Sequence, residues 1–230
     1  MSKLALILAL VGSLVPGAAS ALTIDGFDSP YYGLQSDNNG NRGDARPATD
    51  VLGGTRKVTL TNVSGTFAPL RSATVTINAG DSRLSVSNSD FVDSTVTVTW
   101  DGSTADPYTV VTNGLGGTDL TVGNGTGFLM TIPSIDQNVI ISLTVWDNDS
   151  TGTVSSAFAG PADNFVLPFA SAGFNGIDFT KIGAVQMVLN GPTAWDGSVD
   201  VFGTQTNPTP ATLALLLFGL PWLARAQRRS

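Results

Sequence analysis

Residues 95–100 have the sequence Thr-Val-Thr-Val-Thr-Trp, in which hydroxyl and apolar side chains alternate strictly. A repeat of two places alternate side chains on opposite faces of a β-strand. The stretch therefore predicts a strand that buries Val96, Val98 and Trp100 in a core. The same kind of pattern predicts further strands at 57–62, 73–78, 82–88, 108–112, 128–132, 139–146, 152–158, 164–169, 183–190 and 198–202.

The segments between these strands are rich in turn-forming residues. Asp101-Gly102, Asn113-Gly114 and Asn124-Gly125 are pairs that favour tight turns. No apolar stripe of helical spacing occurs between residues 22 and 206, and glutamate, a strong helix former, is absent from the chain. We therefore expect residues 22–206 to form an all-β domain, an antiparallel β-sandwich of about ten strands.

Two segments resemble the first and last strands of galactose-binding-like jelly rolls. The first is Thr23-Ile-Asp-Gly-Phe-Asp28, and the second is the closing segment 185–202, which contains Trp195-Asp-Gly-Ser-Val-Asp-Val201. The resemblance implies a jelly-roll-like arrangement of the sandwich, but it does not name a ligand.

The first 21 residues have the layout of a secretory signal peptide. Lys3 precedes an apolar run at 4–15, and the small residues Ala19 and Ala21 suit signal peptidase, with cleavage after Ala21. The alternative, an amino-terminal membrane anchor, is disfavoured because the run is shorter than the roughly 20 residues needed to span a bilayer. We expect the protein to be exported.

Residues 207–230 have three parts in order: a proline spacer, an apolar stretch and a basic end. Pro208, Thr209 and Pro210 form the spacer, and residues 211–224 are apolar apart from one threonine. The basic residues are Arg225, Arg228 and Arg229. By the positive-inside rule these arginines would stay on the cytoplasmic side of a transmembrane helix.

This tail resembles the PEP-CTERM sorting signal, with Thr209 where that family usually has glutamate. The resemblance implies transient anchoring in the inner membrane of a Gram-negative-type bacterium. It also implies processing by an exosortase and delivery to the cell surface or medium. An ordinary carboxy-terminal anchor that is never cut is the alternative.

Charge and missing residue types exclude several function classes. All 18 acidic residues are aspartates within 22–206, whereas four of the 11 basic residues lie in the terminal segments, which leaves a formal charge of −11 for the domain. Such a surface repels nucleic acid. Without histidine or cysteine there is no Ser-His-Asp triad, thiol nucleophile or ordinary zinc site. We therefore expect no enzyme, although a glycosidase that uses two aspartates stays an alternative.

Strand parity makes one tryptophan a candidate for carbohydrate binding. The apolar face of the strand at 139–146 is formed by Ile141, Leu143 and Val145. Trp146 therefore projects to the opposite face with Ser142 and Thr144. Trp195, in the loop after Gly191, is the second candidate. For both rings the alternative is packing against a neighbouring strand.

Clustered oxygen ligands suggest a candidate structural Ca²⁺ site. Asp147 and Asp149 flank Asn148, and a second cluster spans 37–44. Ca²⁺ prefers such hard oxygen ligands, but turns rich in Asp and Asn also form without metal. No other cofactor is predicted.

Three functions follow from these features. The main expectation is an exported, non-catalytic protein of the cell envelope or extracellular matrix. The alternative is a carbohydrate-binding module with exopolysaccharide as its candidate partner. An Asp-dependent glycoside hydrolase is the least favoured.

Overall fold

A computed structural model describes residues 21–28, 32–37, 40–65, 71–78, 80–147 and 149–206. The predicted signal peptide, apart from Ala21, and the whole predicted sorting tail lie outside the described residues. Within the described ranges, no helix is both long enough and apolar enough to cross a membrane.

The described residues form an all-β structure. Its strands are β1 (Thr23–Asp25), β2 (Tyr32–Ser36), β3 (Arg42–Pro47), β4 (Thr55–Gly65), β5 (Ala73–Asn78), β6 (Arg83–Asn88), β7 (Val92–Trp100), β8 (Gly125–Ile132), β9 (Ser134–Ile135), β10 (Val139–Asp147), β11 (Thr151–Phe158), β12 (Ala162–Pro168), β13 (Ile182–Asn190), β14 (Asp196–Val199) and β15 (Phe202–Thr206). Two short 3₁₀ turns lie at Leu52–Gly54 and Ala172–Phe174.

The strands form three antiparallel sheets. The six-stranded sheet has the order β11-β10-β13-β7-β4-β3, the five-stranded sheet β2-β5-β6-β14-β9 and the four-stranded sheet β1-β15-β8-β12. The five- and four-stranded sheets continue into each other along the chain, because β8 is followed by β9 and β14 by β15. Backbone hydrogen bonds between Thr131 and residues 200–201 hold that junction together.

One hydrophobic core separates the six-stranded sheet from the other two. Alternate residues of β7 and β10 are buried, as the sequence pattern predicts, and Trp100 is fully buried. The Trp100 ring packs against Phe202 of β15 with 5.1 Å between centroids. This contact joins the six-stranded to the four-stranded sheet, so the expectation of an antiparallel, layered all-β domain is confirmed. The jelly-roll connectivity stays a prediction.

Three details of the expected strands are corrected. Residues 108–112 form a loop, because the main chain there is held by the side chains of Lys57 in β4 and Asp101, which directly follows β7, instead of by a neighbouring strand. The predicted strand at 198–202 is two strands, β14 and β15, which belong to different sheets. Asp44, the last residue of the oxygen-rich cluster at 37–44, lies in the edge strand β3 instead of in a turn and forms an ion pair with Arg46.

Candidate functional site

The solvent-facing side of the six-stranded sheet is dominated by polar side chains. We call the part formed by β11, β10, β13 and β7 the open face. Its outward residues are Thr151, Thr153, Ser155, Ala157, Ile140, Ser142, Thr144, Trp146, Ala184, Gln186, Val188, Asn190, Thr95, Thr97 and Thr99. Most of these side chains are half-buried or exposed, while their neighbours along each strand point into the core. Such alternation is what a sheet with one solvated face requires.

Hydroxyl and amide groups on the open face bond to each other across the strands. Ser142 and Ser155 are joined by their Oγ atoms at 2.7 Å, and Thr144 and Thr153 by their Oγ1 atoms at 3.0 Å. On the next pair of strands, Gln186 Nε2 donates to Thr99 Oγ1 at 3.0 Å. The side chains are thereby held in defined orientations, which leaves a fixed pattern of further donors and acceptors towards solvent.

Trp146 stands at one end of this face. Its cross-strand neighbours are two small residues, Thr151 of β11 and Ala184 of β13. The residue is half-buried, on the side of β10 opposite to the core. The orientation deduced from strand parity is therefore the one observed.

A loop lies over the β3 edge of the same sheet. A Cβ placed on Gly43 of β3 would lie 2.9 Å from both Pro107 Cγ and Tyr108 Cζ, so these two side chains rest on the sheet surface. Tyr108 keeps half of its surface exposed. Residues 101–111 thus form one boundary of the open face.

A buried ion pair anchors this loop to the sheet. Lys57 Nζ of β4 lies 2.7 Å from Asp101 Oδ2 and donates to the carbonyl oxygen of Thr109 at 2.8 Å, and both charged side chains are almost fully buried. The Asp101 carboxylate also accepts the backbone N–H groups of Ser103 and Val111. The carboxylate is thereby saturated with partners, as a buried charge requires.

A cleft of about 560 Å³ opens where β10 begins and β13 ends. It is lined by Asp136, Gln137, Asn138, Ile140, Ala159, Asn190, Gly191 and Pro192. Ile140 and Asn190 are cross-strand partners on the open face, so the cleft is continuous with that face. Ile140 is 47 % exposed and supplies an apolar surface among polar groups.

Trp195 does not reach this surface, which corrects its assignment as an exposed platform. The side chain is fully buried, and its Nε1 donates to the carbonyl oxygen of Ser94 at 3.2 Å. Gly191 packs directly against the indole ring, where any larger residue would collide with it. A ring enclosed in this way has no face left for a sugar, so the packing alternative describes Trp195.

The candidate calcium ligands Asp147 and Asp149 do not converge on a common point with a third acidic group. Among the described residues, no group of three or more acidic side chains is arranged to hold a metal ion. Asp147 Oδ1 accepts the backbone N–H groups of Asp149 and Ser150 at 2.8 and 2.5 Å, and Oδ2 accepts that of Asp178 at 2.7 Å. Asp147 therefore pins the loop before β13 to the end of β10.

These bonds also set the acidity of the Asp147 carboxyl. Burial acts to raise its pKa, and the neighbouring Asp178 carboxylate acts in the same direction. The three backbone N–H donors outweigh both effects and hold the pKa of Asp147 below its usual value. The carboxylate is the stable form at neutral pH.

Sequence reasoning missed the cleft and the Lys57–Asp101 pair. Lys57 is conspicuous as a cation in a strand of threonine and valine, but nothing local shows which of the 18 aspartates neutralises it. The cleft escaped prediction because its lining comes from three separate chain segments.

Comparison with known proteins finds no matching family model and no matching curated protein. Among solved structures, the chain is similar to the family 11 carbohydrate-binding module from Clostridium thermocellum in complex with a β-1,3-1,4-mixed-linked tetrasaccharide. The TM-score is 0.39 at 9 % identity, over 82 % of this chain and 96 % of that one.

Two further structures show a similar degree of likeness. The family 11 module of the cellulosomal cellulase Lic26A-Cel5E of Clostridium thermocellum gives a TM-score of 0.39 at 8 % identity, over 82 % of this chain and 95 % of that one. The crystal structure of an agarase gives a TM-score of 0.34 at 11 % identity, over 72 % of this chain and 25 % of that one. At these TM-scores, none of the three assigns a ligand to this chain.

Proposed function

We propose that residues 22–206 form a non-catalytic carbohydrate-binding domain of an exported cell-envelope or extracellular protein, and that the open face is its binding surface. The observation that carries the proposal is the partly exposed Trp146 on the solvent side of β10, beside cross-strand rows of hydroxyl and amide groups. Exopolysaccharide is the partner that this surface chemistry fits.

The aromatic ring and the polar rows have complementary roles. A sugar ring is apolar on its C–H faces and polar around its rim, so one face can pack on an indole while the rim hydroxyls meet donors and acceptors. On this sheet Thr144 is next to Trp146 on the same side of β10, and Gln186 is directly across from Thr144 on β13. Their side chains lie where rim hydroxyls would reach them.

The rows of hydrogen-bonded side chains on the open face reduce the entropy that is lost when a ligand binds. Ser142, Ser155, Thr144 and Thr153 are already oriented by their mutual hydrogen bonds on adjacent strands. Side chains fixed before a ligand arrives lose less conformational freedom when it binds. A rigid sheet surface therefore suits an extended saccharide.

The absence of catalysis is part of the proposal. Neither histidine nor cysteine occurs in the chain, and among the described residues that line the cleft Asp136 is the single carboxylate. Hydrolysis by two carboxyl groups needs a second one across the bond that is cut.

Export is supported by the signal-peptide and sorting-tail patterns of the sequence, and a PEP-CTERM-type route to the cell surface is the corresponding proposal.

Glycan-array binding with the purified full chain, followed by calorimetric titration of the best ligand, tests this function. Trp146→Ala is expected to weaken binding about tenfold or more, which corresponds to roughly 1.4 kcal/mol, whereas Trp146→Phe retains much of it. Phe91→Ala is the matched control, because Phe91 is an exposed aromatic residue outside the open face. No binding to any glycan, or equal losses for Trp146→Ala and Phe91→Ala, would refute the proposal.

A further inference from the structure

We propose that the cleft between residues 136–138 and 190–192 binds the terminal, uncharged sugar unit of a saccharide chain whose body lies along the open face towards Trp146. This inference rests on the proposed function and specifies which part of the ligand each end of the surface recognises.

The cleft and the open face form one continuous surface. Ile140 and Asn190 belong to both, because they are outward-facing cross-strand partners and also line the cleft. Trp146 lies six residues further along β10 than Ile140, which is about 20 Å at the usual rise of a strand. A ligand that contacts both the cleft and Trp146 must therefore be an oligosaccharide.

The cleft has the composition of a sugar subsite. Four of its lining residues carry amide or carboxylate groups, and Ile140 offers an exposed apolar side chain between them. Gln137 is fixed by donating Nε2 to the carbonyl oxygens of Thr193 and Ala194 at 3.2 and 2.8 Å, which leaves its Oε1 as an acceptor. Asp136 is fixed as well, because its Oδ1 accepts the backbone N–H of Asp196 at 2.7 Å.

The position of the cleft in the fold indicates that it binds the end of a saccharide chain. The open face is a sheet surface along which a chain can extend, whereas the cleft is formed by the loop before β10 and the loop after β13. Residues 136–138 come just before the first residue of β10 and residues 191–192 just after the last residue of β13, so the cleft lies at the ends of these strands. A saccharide that follows the strands would meet the cleft with its last unit.

Charge decides which kind of unit fits. Asp136 is the charged group of the cleft lining, and no lysine or arginine is among the described lining residues. The domain around it carries a formal charge of −11. A uronate or sulfated unit would bring a second negative charge to this point without a cation to receive it, so the unit is uncharged.

Binding stoichiometry against chain length tests the inference. The probes are cello-, manno- and galacto-oligosaccharides and their longer polymers, with oligogalacturonates as the anionic counterpart, titrated into the full chain. We expect one protein bound per saccharide chain whatever its length, and no binding of the oligogalacturonates. A number of bound proteins that grows with chain length, or oligogalacturonates that bind as well as neutral chains, would overturn the inference.

Variants separate this inference from the proposed function. Asn138→Ala and Asn190→Ala are expected to weaken oligosaccharide binding several-fold, while Asn41→Ala, the same change at an exposed position near the opposite edge of the sheet, leaves it unaltered. If Trp146→Ala weakens binding but both cleft variants match Asn41→Ala, the chain-end site is wrong and the open face stands. If oligogalacturonates bind and the uncharged probes do not, the chain-end inference fails and the proposed function stands, whereas a chain that binds no glycan at all refutes both.

Discussion

Arg56 and Lys57 are neighbours in β4, yet their side chains leave opposite faces of the six-stranded sheet, and each is neutralised by a buried aspartate. Arg56 points into the core and forms an ion pair with Asp25 of β1. Lys57 points to the solvent side and forms one with Asp101. The first pair ties two layers of the fold together, and the second ties the boundary loop to the sheet that carries the open face.

Removing Asp25 is expected to destabilise the domain strongly. Asp25 accepts hydrogen bonds from Arg56 Nε at 2.5 Å, Trp100 Nε1 at 2.7 Å and the Phe27 backbone N–H at 2.7 Å, so Asp25→Ala removes the carboxylate that neutralises a buried guanidinium. The expected loss in the free energy of unfolding is about 3–5 kcal/mol, measured by urea denaturation. The double variant Asp25→Leu/Arg56→Met should lose less than Asp25→Ala, and a larger loss would contradict this explanation.

Asp101→Ala should release the boundary loop. The substitution removes the partner of the buried Lys57 ammonium and the acceptor for the Val111 backbone N–H. We expect faster hydrogen exchange at Val111 than in the parent protein, along with a stability loss of about 3 kcal/mol or more. Unchanged exchange at Val111 would show that other contacts hold the loop.

Asp147 should make stability depend on pH at the acidic end. Because the pKa of Asp147 is lower in the folded chain than that of an ordinary aspartate, the carboxylate contributes stability that is fully present above about pH 4 and is lost as the pH falls through the folded pKa. The difference in unfolding free energy between the parent and Asp147→Asn should therefore shrink below pH 4. A difference that stays constant from pH 7 to pH 3 would contradict this assignment.

Gly191→Ala tests the buried position of Trp195. The added methyl group would collide with the indole ring, which is fully buried and cannot move aside freely. We expect a loss of about 1–3 kcal/mol in the free energy of unfolding, as for other overpacked cores. Gly160→Ala is the control, because no atom lies near a Cβ at that position, and an equal effect of both changes would argue against the collision.

The sequence pattern predicted the strands well where one face of a strand is buried. The boundaries of β5 match residues 73–78, and β10 extends the predicted strand by one residue. The parity of β10 also placed Trp146 on the solvent side. Alternation is a local property that burial on one face imposes directly, so a single sequence can show it.

Features that depend on distant residues were not predictable in the same way. Residues 108–112 have strand-like composition, but Lys57 and Asp101 hold them as a loop through contacts 10 to 52 residues apart in the chain. The edge strand β3 contains Arg42, Asp44, Arg46 and Pro47, so its sequence lacks the apolar alternation by which the other strands were predicted. Charged residues and proline are nevertheless common in edge strands. Trp195 looked exposed because its loop contains glycine and proline, whereas its burial depends on contacts with Gly191 and with Ser94, which is 101 residues away in the chain.

A crystal structure of the full chain with an uncharged oligosaccharide that it binds is the most direct measurement of where saccharide is held. We predict a sugar ring packed on Trp146, with hydroxyl groups hydrogen-bonded to Thr144 and Gln186 of the six-stranded sheet. A saccharide bound instead to the five- or four-stranded sheet, with Trp146 uncovered, would contradict the account.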